Sequence, residues 1–165
     1  MISITDKQLE DMAKRWPDLF QKSQIDYFEV GYGWYAIIET LCEMLSRNVT
    51  RIRDKISYLS IDLSPGNLER IRVYEEELAE AIEELPQIMQ VKEKFGGLRF
   101  YAFHAEGVNR SYINFAETLS MRTCEWCGAP GEARSDGWTK VLCEKHHKER
   151  ENPNIVFSLT TDDDE

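Results

Sequence analysis

The chain reads as an α+β protein: a long helical hairpin and flanking helices packed on a small antiparallel β-hairpin, finished by a compact cysteine- and histidine-bearing module. Three observations carry that reading. Apolar residues recur at steps of three and four from Trp34 to Leu59 and again from Leu68 to Leu85, the periodicity of amphipathic helices. Two short runs meet at Gly96-Gly97, where paired glycines tolerate the positive φ of a tight primed turn. Near the C-terminal end, Cys124, Cys127, Cys143 and His146 fall in metal-ligand spacing.

Taken in order, DKQLEDMAKRW predicts a short helix capped by Asp6 and closed by Pro17. QKSQIDYFEVGYGW reads as an ordered aromatic loop whose rings pack the edge of a core. The long helix carries Ile38, Leu41, Leu45, Val49, Ile52, Ile56 and Leu59, with a bend expected near Asn48. SIDLSPGN breaks the pattern, and Ser64-Pro65 opens the next helix with proline in its first turn. That helix places Leu68, Ile71, Tyr74, Leu78, Ile82 and Leu85 on one face and ends at Pro86; the short turn makes the two helices antiparallel neighbours.

In IMQVKEKFGGLRFYAF, a Gly96-Gly97 turn opposes Phe95 to Leu98, Glu93 to Phe100 and Val91 to Ala102. One face is then apolar, and the other carries Lys92, Lys94, Arg99, Tyr101 and Phe103. Glu93 is the misfit, a carboxylate on the apolar face that needs an Arg, Lys or backbone donor. VNRSYINFAETLSMR reads as a helix with Tyr112, Phe115, Ala116 and Leu119 on one side. The organisation is a body (1–120), a metal module (121–150) and an acidic tail (151–165).

Net charge is −10, unevenly spread. Residues 69–84 hold seven acids and two bases, and 162–165 are DDDE. This balance weighs against non-specific nucleic-acid binding. No run approaches a membrane span and the start lacks a signal-peptide pattern, so a cytoplasmic protein is expected. Arg47, Arg51 and Lys55 form a stripe on the first long helix, and Glu76, Glu80 and Glu84 on the second. They read as mutual compensation, or as an acidic face that mimics nucleic-acid phosphate or docks on a basic protein. Lys92, Lys94, Arg99 and Tyr101 have the ingredients of a phosphate or base-stacking surface.

The strongest motif is CEWCGAPGEARSDGWTKVLCEKHH. A tight turn aims Cys124 and Cys127 at one point, with Gly128 supplying backbone freedom. After a spacer long enough for a small hairpin, Cys143 and His146 sit three apart on a helical face; His147 is an alternative fourth ligand. In a reducing compartment this spacing argues for structural Zn²⁺ over a disulfide, in a treble-clef-like module. Cys42, inside AIIETLCEML, reads as a buried small hydrophobe. Four ligands close the coordination shell, whereas a catalytic zinc keeps a position for water. The HxE…PCxxC arrangement of a deaminase is absent, and the 128–142 spacer has no histidine for nuclease chemistry. Glu93, His104 and Asp136 are the scattered residues a hydrolase would have to use.

FEVGYGWYAIIETLCEML, QVKEKFGGLRFYAF and AETLSMRTCEWCGAPGEARSDGWTKVLCEKH together resemble a family of small proteins of uncharacterised activity from bacteriophages, prophages and their bacterial hosts. The resemblance covers most of residues 16–147, and its most specific pieces are the KFGGLRFY hairpin and the CxxCGxPG…GW…LCxxH ending. Tyr32 stands where a GDGW-like turn would carry an acidic or small residue. The resemblance implies a phage or host-cell setting and a zinc site, and it brings no reaction. The function expected is therefore a non-enzymatic, zinc-stabilised protein that works through a protein partner, such as a phage-encoded modulator of a host defence or replication factor. The alternative is a nucleic-acid-binding accessory protein using the basic hairpin face and the zinc module.

Overall fold

The computed structural model describes residues 3–23, 25–135 and 137–152, and the fold is α+β with two small antiparallel hairpins. Helix α1 (Asp6–Arg15) is capped by Thr5, not Asp6. The Gln8 amide donates to the Thr5 hydroxyl (3.3 Å) and the Thr5 amide to Gln8 Oε1 (2.9 Å), a reciprocal capping box. Asp6 instead occupies the first turn, where its charge suits the helix dipole. Pro17 closes α1 only by opening another helix, α2 (Pro17–Gln21), at its first position.

Helix α3 (Tyr35–Leu59) runs unbroken through Asn48, entered from a 3₁₀ turn at Tyr32–Trp34. Helix α4 (Pro65–Glu83) returns along it, and Val49, Ile52, Ala81 and Leu85 form a small separate core. Among the described residues, α4 packs chiefly against α3. Leu68 is therefore 47% exposed, with Tyr58, Ile61 and Leu63 exposed beside it. The charge stripes do not pair with each other among the described residues. Arg51 donates to Asn48 Oδ1 (2.9 Å), Lys55 lies over the Tyr74 ring (4.7 Å), and Glu76, Glu80 and Glu84 face solvent.

Strands β1 (Gln87–Lys94) and β2 (Gly97–Phe103) pair antiparallel, with Glu93 opposite Leu98 and Val91 opposite Phe100. The turn is thus Phe95-Gly96, one residue earlier than expected, with φ of 54° and 79° at its two corners. Both values suit a primed turn. Gly97 lies in the ladder, where a Cβ would meet Met121 Sδ at 2.5 Å, near the end of a flexible, exposed side chain. Each pairing moves by two residues, so the faces are preserved. Val91, Leu98 and Phe100 are buried, while Tyr101 and Phe103 are exposed. Phe95 sits out in the turn, 68% exposed.

The main core joins both layers: Met12, Leu19, Phe28, Trp34 and Ile38 meet Ile88, Val91, Leu98, Phe100 and Ile113. The aromatic loop is part of it. Glu29 donates its amide to the Val91 carbonyl (2.9 Å) and accepts from the Glu93 amide (3.1 Å), so the loop runs along β1. Helix α5 (Gly107–Ser120) buries Ile113, Ala116 and Ser120. Tyr112, Phe115, Ala116 and Leu119 share one side of it, as expected, and Phe115 (69%) and Leu119 (40%) are exposed there. The chain ends in β3 (Glu132–Arg134), β4 (Lys140–Leu142) and α6 (Glu144–Glu151). No helix among the described residues is long and apolar enough to cross a membrane. The acidic stretch 162–165 lies outside the described residues.

Candidate metal centre

The four expected ligands converge. Cys124, Cys127 and Cys143 Sγ and His146 Nδ1 all lie within 4.8 Å of one another. His146 Nδ1 is 3.3 Å from Cys124 Sγ and 3.4 Å from Cys143 Sγ, and Cys127 and Cys143 Sγ are 3.9 Å apart. Bonds of about 2.3 Å to sulfur and 2.0–2.1 Å to nitrogen at tetrahedral angles require edges of about 3.5–3.8 Å. The donors are therefore spaced so that they could hold one metal ion.

Local structure explains the convergence. The Gly128 amide donates to the Cys124 carbonyl (2.9 Å), closing a tight turn that needs φ 80° at Gly128. Cys143 is the N-cap of α6, and His146 lies in that helix's first turn. The imidazole presents Nδ1 to the thiols and directs Nε2 towards Glu149 Oε2 (3.7 Å), with the Trp126 ring packed 5.3 Å away. His147 Nε2 lies 3.8 Å from Glu151 Oε1, and His146 is the histidine that converges with the three thiols.

The thiols differ in acidity. Burial pushes the Cys127 thiol up to about 11, the Ala129 amide opposing and the Cys124 thiol adding to the rise. Burial also acts on Cys143, but the His146 and Lys145 amides at the helix start and the neighbouring thiols outweigh it and hold Cys143 below its usual range. A bound dication would let all three be thiolates at once.

The turn is fastened to the body through the GYGW segment. The Gly33 amide donates to the Glu125 carbonyl (2.9 Å), the Gly31 amide to Glu125 Oε1 (3.3 Å) and the Trp34 indole to the Thr123 carbonyl (2.8 Å). A Cβ at Gly33 would stand 2.1 Å from the Cys124 carbonyl oxygen. Tyr32 itself points away, 43% exposed and stacked on Tyr35.

A second fastening is ionic. Glu125, 1% exposed, accepts from Lys140 Nζ (2.7 Å), and Lys140 also donates to Glu93 Oε2 (3.1 Å). Glu93 takes the Gly96 amide (2.7 Å) and the Trp138 indole (3.1 Å) as well. The misfit carboxylate has thus found both a lysine and a backbone donor. Burial would raise the Glu93 pKa, but the Gly96, Trp138 and Lys140 donors outweigh it and hold the carboxyl below its usual range. Glu125 and Lys140 carry no sequence signal, because one is a spacer between cysteines and the other an ordinary strand lysine.

The scattered hydrolase candidates do not assemble. Glu93 is next to the hairpin turn, whereas exposed His104 follows the far end of β2; Asp136 lies outside the described residues. On the opposite hairpin face, Lys92 lies over Tyr101 (5.5 Å), Lys94 lies over Phe95 (5.3 Å), and Arg99 donates to the Leu98 carbonyl (2.7 Å). Comparison with known proteins brings no relative: no family model, no curated protein and no solved structure matches the chain.

Proposed function

We propose that the ion is Zn²⁺, held in a closed Cys₃His shell of treble-clef type, and that the protein is a non-enzymatic intracellular one acting through contact with a protein partner. The observation that supports a structural ion best is the engagement of the surrounding carboxylates. Glu149 faces His146 Nε2 (3.7 Å) and Lys145, and Glu125 and Glu93 are bound to Lys140, to backbone amides and to the Trp138 indole. Neither is free to serve as a proton shuttle, and four protein donors fill a tetrahedral shell. Protein contact is supported by the exposed apolar side chains at the α3–α4 tip and along α5. The family resemblance adds a setting, a phage- or prophage-encoded modulator of a host factor.

The test is Cys124→Ser with zinc analysis. Loss of zinc together with cooperative unfolding, and with no enzymatic activity in the wild type to lose, agrees with the proposal. A mutant that stays folded but loses a catalytic activity of the wild type contradicts it.

A further inference from the structure

Helices α3 and α5 leave an open apolar groove of about 360 Å³ between them. Its floor is buried Ile37, Leu41 and Ala116; Met44, Phe115 and Leu119 form its walls. Two packed helices present ridges with a trough between, and the shape that fits such a trough is a third helix. On the α3 side the lining runs from Ala36 to Met44, about 12 Å at 1.5 Å per residue. Helix-in-groove recognition uses anchors at i, i+3 or i+4, and i+7, a span of about 10 Å. The main-chain groups here are committed to the helices, so side chains must do the recognising.

The ends of the groove specify charge. The Trp34–Thr123 hydrogen bond puts the start of α3 beside the end of α5. Arg47 continues the α3 face three residues past Met44, and Arg122 lies in the turn that follows α5, its amide donating to the Leu119 carbonyl (3.0 Å), so the two arginines fall at opposite ends. Both are exposed, and neither has an ion-pair partner among the described residues. Glu43 stands one turn before Arg47, which makes the Arg122 end the more basic. Glu39 is already paired with Arg15, and Glu117 accepts from the Phe100 amide. A chain of net charge −10 thus sets cations at the ends of its apolar groove.

We infer that this groove receives an amphipathic helix of a partner protein, about two turns of apolar face flanked by carboxylates at both ends. This rests on the protein-contact reading above and names the chemistry of the partner.

The test is a displayed library of amphipathic helices, apolar residues varied at i, i+3, i+4 and i+7, with Glu-rich or Lys-rich flanks. The expected result is enrichment of Glu-flanked helices. Phe115→Glu should weaken their binding at least about 100-fold and Arg122→Glu about tenfold, with circular dichroism unchanged because both side chains are exposed. Enrichment of Lys-flanked helices, or binding that survives Phe115→Glu, overturns the inference. So does a wild-type dimer that Phe115→Glu turns into a monomer in sedimentation, or Phe115-dependent binding to phosphatidylcholine vesicles. If binders are lost with Ile61→Glu but not Phe115→Glu, the groove is wrong and the protein-contact reading survives. If neither library yields a binder, both fail.

Discussion

Replacing Gly33 by alanine places one methyl group against the metal-binding turn. The new Cβ would lie 2.1 Å from the Cys124 carbonyl oxygen, 2.5 Å from the Gly128 nitrogen and 2.7 Å from the Cys127 nitrogen. All three are backbone atoms, so no side chain can swing aside, and the turn must lift from the GYGW segment. Lifting breaks the bonds from the Gly33 amide, the Gly31 amide and the Trp34 indole. At about 1 kcal/mol each, the loss is about 3 kcal/mol, or roughly a hundredfold in an equilibrium constant. On the proposed zinc site, metal binding and folding of the module are linked, so the loss should appear both as lower stability and as weaker metal affinity. Urea unfolding and competition with a chromophoric zinc chelator measure the two. Gly66→Ala is the control: nothing lies within 4 Å of its Cβ, and the substitution should stabilise by about 0.5 kcal/mol. Gly33→Ala with stability within about 0.5 kcal/mol of wild type and unchanged zinc affinity would refute the docking argument.

Further outcomes concern single side chains. Lys140→Met leaves buried Glu125 and half-buried Glu93 without their shared cation and should cost about 3 kcal/mol by denaturant unfolding. His146→Ala should lower zinc affinity sharply in the same chelator competition, while His147→Ala leaves it unchanged. The Glu93 carboxyl should titrate below its reference value of 4.5 when followed by carbon NMR. Its folded-state pKa is depressed, so the stability it contributes is present above 4.5 and is lost as pH falls through the folded value; Glu93→Gln removes that part of the acid limb. Cys42, fully buried with its thiol pushed up to about 12, should resist iodoacetamide in the native protein at neutral pH and react only on unfolding.

The donor set was legible because ligand spacing is local: a tight turn and one turn of helix fix four atoms almost without the rest of the chain. The long helices were legible for the same reason, through periodicity. The stripe of Tyr112, Phe115, Ala116 and Leu119 shows that one side of the helix is apolar, not that a neighbour covers it, and Phe115 and Leu119 are in fact exposed. The hairpin turn was misplaced because glycine can be chosen for lack of a Cβ as well as for positive φ. Gly97 lies in the ladder, and Phe95 takes the positive-φ corner beside Gly96. What spacing cannot reveal is contact across the chain. Gly33 meets Cys124, and Glu125 and Glu93 share Lys140 only because the fold brings distant segments together.

X-ray absorption at the zinc edge of the purified protein addresses the central claim most directly. The account predicts three sulfur scatterers near 2.3 Å and one imidazole, with its outer-shell scattering, near 2.0–2.1 Å. A spectrum needing two sulfurs plus oxygen, or lacking the imidazole pattern, would mean an open coordination position and contradict the account.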